Sequence, residues 1–191
     1  MVLIIDNFIK DESLLSEINT DASFFSDPGE YYFWSGWWDS PANTTKKKLI
    51  KHIWGDAFPL NMVFDTVGFE YWTGIQTADP ASPYNDNLEA HFDKDEELFK
   101  LTGELQKPLI GCIYYPQQSE FEGGMLEIFT EGMDKDPERI YARSNRLIIF
   151  DAGNLAHRVS QITKGTRRAI AISLWGEDPY SNKMGILRTE K

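Results

Sequence analysis

Cysteine occurs once in the 191 residues, as Cys112, and histidine three times, as His52, His91 and His157. A single thiol excludes an internal disulfide framework and any paired-cysteine metal knuckle. Basic residues are also short: 19 Lys+Arg stand against 30 Asp+Glu, a formal net charge of -11. A surface this acidic repels phosphate backbones and anionic lipid heads, which argues against nucleic acid or membrane as an electrostatic partner. Long apolar runs are missing too. The chain opens on Val2-Leu3-Ile4-Ile5, interrupted at once by Asp6. Neither a signal peptide nor a membrane span is expected, and the reading is a reduced, cytoplasmic protein. What is present is an apolar share of 41% with 14% aromatics, enough for a substantial core. No repeat, linker or composition break divides the chain, so one domain over residues 1–191 is expected.

Val2–Ile5 reads as a short strand. Asp11 is a candidate N-cap for a helix in which Leu14, Leu15 and Ile18 form one apolar stripe. An aromatic-dense run, Tyr31–Trp38, follows. A second helix is expected from near Asn43 to around Pro59, and its Lys46–Lys48 run reads as a solvated face. From Met62 the pattern turns β-rich, with Met62–Val67 and Phe69–Thr73 as strand candidates before a turn-rich stretch from Ala78 to Asn87. Leu109–Tyr115, Met125–Phe129, Arg146–Phe150, Ala156–Ile162 and Arg167–Trp175 are further strand candidates. Short strands at roughly ten-residue intervals predict a sandwich or barrel, with the N-terminal helices packed outside.

Chemistry has few places to go. His52 lies in Lys51-His52-Ile53 and reads as a helix-packing or surface residue. His91-Phe92-Asp93 is different: on an extended strand, positions i and i+2 point to the same side, so both side chains can meet one ion. His157, after the strand Leu147–Phe150 and the turn Asp151–Asn154, can add a second imidazole. Two neutral imidazoles and one carboxylate on a face form the triad that holds non-haem iron(II) with its other positions open. Ten residues past His157, across a Gly165-containing turn, an antiparallel return brings an arginine back toward that site. A guanidinium there can grip a carboxylate through two parallel hydrogen bonds. Alternation places Arg167, Ala169, Ala171, Ser173 and Trp175 on one strand face, and Arg168, Ile170, Ile172 and Leu174 on the other. The first face suits a cavity and the second suits packing, which selects Arg167 over Arg168.

These stretches, with Cys112–Tyr115, Gly123–Phe129 and Asn145–Phe150 between them, resemble in order and spacing the iron(II)/2-oxoglutarate-dependent dioxygenases over roughly Asn87 to Gly176. The prolyl 4-hydroxylase branch, including the catalytic core of the hypoxia-factor prolyl hydroxylases, is the most similar. The resemblance implies a mainly β double-stranded β-helix (jelly roll) with iron at its open end. It implies that His91, Asp93 and His157 ligate Fe(2+) and that Arg167 holds the far carboxylate of 2-oxoglutarate. It also implies that Tyr115 helps hold that carboxylate, and alternation favours Tyr115 over Tyr114 because Ile113 and Tyr115 share a face. Ile113, Leu126 and Val159 would line the apolar walls, though ordinary core packing explains them equally. O2 is the implied oxidant, with ascorbate as a further cofactor to consider. The products the resemblance implies are succinate, CO2 and a hydroxylated C–H.

The family's pocket tyrosine on the strand entering the His-x-Asp segment has Tyr71 as its nearest match, against a core role. Asp95, Glu96 and Glu97 read as a capped helix start. The aromatic run could close over a substrate ring or simply cover one sheet. A peptide or protein prolyl group is the implied substrate, with a small molecule as the alternative. Two other readings stay open at the level of sequence: a non-catalytic β-sandwich binding module, and a cupin-like metalloenzyme that does not use 2-oxoglutarate. Oligomeric state is not encoded in these patterns.

Overall fold

The computed structural model describes residues 1–58, 65–85 and 88–190. The chain runs β1 (Val2–Asp6), α1 (Glu12–Thr20), β2 (Tyr32–Trp34) and α2 (Thr45–Lys51), then a π-helical segment (His52–Ala57). It continues through β3 (Gly68–Thr77), β4 (Leu88–His91), α3 (Glu96–Thr102), β5 (Ile110–Tyr115), β6 (Glu122–Gly123) and β7 (Leu126–Ile128). The last part comprises β8 (Glu138–Ile140), β9 (Arg146–Phe150), β10 (His157–Val159), β11 (Ile162–Lys164), β12 (Thr166–Trp175) and α4 (Tyr180–Lys183). The expected helix end near Pro59, and Met62–Phe64 of one expected strand, lie outside the described residues; Asp65–Val67 carry no strand.

Two antiparallel sheets form the jelly roll, one of six strands ordered β1-β9-β5-β12-β3-β2 and one of four ordered β4-β10-β7-β8. β11 and β6 form a separate two-stranded sheet. The expected strand Ala156–Ile162 is split into β10 and β11: Ser160 still donates its N–H to the Met125 carbonyl at 2.9 Å, but the Met125 N–H goes to the Ser160 hydroxyl instead of its carbonyl, and the ladder ends there. At the turn that β6 enters, Gly123 has φ +78°, and a Cβ there would stand 2.1 Å from the Gln161 carbonyl oxygen. Only glycine permits both the left-handed backbone and that approach.

Alternation sorts the six-stranded sheet into two apolar layers. On one face Phe69, Tyr71, Cys112, Tyr114, Leu147, Ile149, Ile170, Ile172 and Leu174 pack against Ile18 of α1 and Leu49, Ile50, Ile53 and Trp54 of the second helix. On the other face Tyr115, Ile148, Phe150 and Ala169 meet Leu126, Ile128 and Ile140 of the four-stranded sheet. With both faces covered, β9 reads as the unbroken apolar run Leu147–Phe150, and every one of its residues is buried.

The helices start where side chains answer free N–H groups. Asp11 accepts from the Ser13 and Leu14 N–H groups, Thr44 from Lys47, and Asp95 from Leu98. His52 packs on Phe8, ring centres 5.4 Å apart. The lysine run departs from expectation. Lys48 is exposed and pairs with Glu17, but Lys46 and Lys47 are only 4% exposed. The chain's C-terminal segment explains this: Lys46 Nζ donates to Glu190 Oε1 at 3.1 Å, and Lys47 Nζ to the Glu190 carbonyl at 2.8 Å. Two buried cations are tolerated because each has an anionic or dipolar partner waiting.

Candidate active site

The site lies between the sheets. His91 closes β4, Asp93 follows two residues later, and His157 opens β10 directly opposite His91 in the β4–β10 register. Asp93 is thus just past the strand end rather than on it; its N–H is fixed by the Ala152 carbonyl at 2.9 Å. His91 Nε2 and His157 Nε2 stand 3.6 and 3.4 Å from Asp93 Oδ1. One ligand atom from each of the three residues lies within 4.8 Å of the others.

The imidazole tautomers follow from what each Nδ1 faces. His91 Nδ1 lies 2.8 Å from the Glu89 carbonyl, and His157 Nδ1 3.0 Å from that of Leu155. A carbonyl only accepts, so both Nδ1 atoms carry the proton and both Nε2 lone pairs are free for a metal. Burial alone would raise the Asp93 carboxyl, but the two facing imidazoles outweigh it and hold the group at about 2. Burial likewise works against a charged His91, yet Asp93 and the Glu89 carbonyl more than offset it, and its pKa stands above the ordinary value. Two ligands about 2.1 Å from one ion and at right angles sit about 3 Å apart, so separations of this size fit a common ion.

Ser173 of β12 braces the carboxylate, donating from Oγ to Asp93 Oδ2 at 3.2 Å. Gly111, opposite Ser173 in the β5–β12 register, lets Ala152 pack close: a Cβ there would lie 2.6 Å from that of Ala152.

A cavity of about 250 Å³ runs from these three side chains to Arg167, between walls that include Ile113, Leu126, Val159, Ala169 and Ala171. The guanidinium is 4% exposed and meets no carboxylate among the described residues. Its Nη1 donates to Gln76 Oε1 at 2.8 Å and its Nη2 to the Tyr115 hydroxyl at 2.9 Å, while Nε has no hydrogen-bond partner. Tyr115 accepts here, so its own hydroxyl proton is free to be donated to an incoming oxygen. A buried guanidinium without a counter-ion is costly, and a bound carboxylate relieves the cost. Ferrous iron and a dicarboxylate therefore both fit: the first by its donor set, the second by this unanswered charge.

Arg168 lies on the opposite, exposed side of β12, and Tyr114 is turned into the helix-covered layer, with its hydroxyl on Asn145 Oδ1. Of the two readings of Tyr71, the core role holds: it faces that same layer, fully buried, and donates to Glu190 Oε2 at 3.0 Å. Strand parity is the reason, since in β3 the residues facing the cavity are Glu70, Trp72, Gly74 and Gln76. The register sets these opposite Ser173, Ala171, Ala169 and Arg167. Sequence reasoning assigned no role to Gln76 or Glu70. The signal was present in that alternation, but reading it requires the pairing of β3 with β12.

The aromatic run divides. Tyr32 and Trp34 are buried in the helix-covered layer with Trp37 packed against them, whereas Tyr31 stacks on Trp72 at the cavity mouth, ring centres 4.8 Å apart. A second cavity, about 360 Å³, opens there and shares Tyr31, Trp72, His91, Asp93 and Ser173 with the first. Trp175 and Glu70 line its inner wall. Burial and the nearby Asp93 charge push Glu70 up to about 8 despite a hydrogen bond from the Trp175 indole.

Residues 81–175 match the family described as the 2OG-Fe(II) oxygenase superfamily. In fold the chain is similar to a Pseudomonas putida prolyl-4-hydroxylase: TM-score 0.62, 14% identity, covering 94% of this chain and 88% of that one. It is also similar to a Trichoplax adhaerens prolyl hydroxylase solved with a hypoxia inducible factor peptide fragment: TM-score 0.55, 14% identity, 92% and 83% covered. A viral collagen prolyl hydroxylase from Paramecium Bursaria Chlorella virus-1 gives TM-score 0.53 at 12% identity, with 93% and 96% covered. No curated protein matches the sequence. Among the described residues, no helix is long and apolar enough to cross a membrane. With the matched segment spanning both imidazoles, the carboxylate and the guanidinium, the chain belongs to the 2OG-Fe(II) oxygenase superfamily.

Proposed function

We propose that the protein is a 2-oxoglutarate-dependent dioxygenase that hydroxylates an aliphatic C–H, with a prolyl-type group as the first candidate substrate. One observation carries this: three converging metal donors share a cavity with a buried guanidinium that lacks an anion. His91, Asp93 and His157 would hold ferrous iron. Arg167 and Tyr115 would hold the distal carboxylate of 2-oxoglutarate, with Gln76 keeping the guanidinium oriented. Ile113, Leu126 and Val159 would exclude water from the cosubstrate chain. Iron with 2-oxoglutarate supplies the overall change: cosubstrate, O2 and R–H become succinate, CO2 and R–OH. The protein's own part is orientation. Fixed Nδ1–H tautomers aim both Nε2 atoms, and Ser173 fixes the carboxylate.

A peptide substrate is supported by the Trichoplax relative, whose structure includes a peptide fragment. A small molecule fits the enclosed cavities equally well. The test is succinate release with iron(II), 2-oxoglutarate and O2, with and without prolyl peptides. Basal succinate is expected and should rise with a substrate. His157→Ala should abolish it, together with the weak visible band of anaerobic iron(II) and 2-oxoglutarate. Metal-dependent turnover indifferent to 2-oxoglutarate would overturn the proposal.

A further inference from the structure

The second cavity is lined by five carboxylates besides Asp93, and four of them are already answered. Glu30 pairs with Arg188, Glu96 with Lys94, and Glu97 with Lys100. Asp95 caps α3 and accepts from the Ser181 N–H and hydroxyl. Glu70 is the exception. Its Oε2 accepts from the neutral Trp175 indole at 3.0 Å, and no cation faces it among the described residues. It lies opposite Ser173 in the β3–β12 register, and Ser173 touches Asp93, so Glu70 is one strand-pair from the metal donors. Trp72 is two residues further along the same face and carries Tyr31 stacked on it.

We infer that the substrate enters as a protonated amine, its cationic nitrogen held between the Glu70 carboxylate and the Tyr31–Trp72 ring pair. Without a counter-ion the buried Glu70 carboxyl keeps its proton; an arriving cation takes that proton's place, and the aromatic side chains beside it add cation–π attraction. The cavity's two lysines lie against their own glutamates, Lys94 on Glu96 and Lys100 on Glu97, and not against Glu70. A prolyl residue inside a peptide is a neutral amide and leaves Glu70 unanswered. A free imino or amino acid, or an amine at a peptide terminus, answers it. This rests on the oxygenase reading for the identity of the site, and it narrows the substrate class within that reading.

The test uses two probes of one shape, choline and its uncharged carbon isostere 3,3-dimethylbutan-1-ol. Each is titrated by ligand-observed NMR into the anaerobic chain loaded with iron(II) and 2-oxoglutarate. The native protein should prefer choline by roughly tenfold, the scale of a partly desolvated cation–carboxylate and cation–π contact. Glu70→Gln should reduce that preference to below about threefold while still binding the neutral probe. Equal affinity of the native protein for both probes overturns the inference, whether or not the variant folds. Unchanged selectivity in folded Glu70→Gln overturns the role of Glu70. Binding of 2-oxoglutarate is measured in the same samples. Its failure with choline selectivity intact counts against the oxygenase reading alone, and its success without selectivity counts against this inference alone.

Discussion

On the helix-covered face of the six-stranded sheet, Lys46 and Lys47 are buried yet answered by Glu190 and Asn43, and Tyr71 completes the same network. On the cavity face, Arg167 is as deeply buried but has only neutral partners and one orphaned N–H. Glu70 has only an indole. Burial is equal on the two faces and does not distinguish them, and neutral orphans such as Trp54 Nε1 and Thr73 Oγ1 occur on the helix-covered one; what differs is whether a buried charge has a charged partner. The closed face holds the fold together. The cavity face holds ionisable groups whose charged partners must arrive from solution, as expected where binding rather than stability set the residue.

The comparison breaks most visibly at Arg167. Arg167→Ala should weaken 2-oxoglutarate binding by about a hundredfold, the ~2–4 kcal/mol expected when a charge-assisted bidentate contact is lost. Arg168→Ala, one residue away on the exposed side, should change it less than twofold. Calorimetric titration of both variants decides, and a reversed order would remove Arg167 from the cosubstrate end.

Stability sharpens the same contrast. Without cosubstrate, Arg167→Met should be neutral or stabilising by about 1–2 kcal/mol, because it removes a buried cation lacking a counter-ion. Lys46→Met should cost about 1–3 kcal/mol, because it strips Glu190 of its cationic partner. Urea midpoints at constant slope report both. If the two variants moved together, the two faces would not differ in the way their hydrogen bonds indicate.

Local rules carried much of this to the sequence. Period-two alternation in Arg167–Trp175 places Arg167 and Ser173 on the cavity side, and the caps Asp11 and Asp95 are visible as short polar signals before helical stripes. What stayed hidden depends on distant partners. Gln76 matters because β3 pairs with a strand about ninety residues later, and the same pairing is what decides between the pocket and core readings of Tyr71 in favour of the core. Lys46 and Lys47 look solvated until Glu190 folds back on them. The strands β2, β6 and β8, two or three residues each, are too short to show any period.

The smallest expected effect concerns pH, where Glu70 and a carboxylate with a charged partner, Asp6, carry opposite signs. Glu70 stands at about 8, raised by burial and by Asp93, so the folded apoprotein binds this proton more tightly than the unfolded chain. Its favourable contribution is complete below about pH 4.5 and is lost as pH rises toward about 8. Asp6, at the edge strand β1, is lowered chiefly by its hydrogen bond from Arg146, so its contribution is present at neutral pH and is lost on acidification below its unfolded pKa. Between pH 5 and 8, Glu70→Gln should flatten the fall in apoprotein stability by on the order of 1–2 kcal/mol, whereas Asp6→Asn should leave that window unchanged and soften the acid limb. Thermal unfolding of the three proteins across pH measures both limbs. An unaltered slope in Glu70→Gln would mean that its carboxyl finds its proton or its partner elsewhere, and the cavity face would then be as complete as the other.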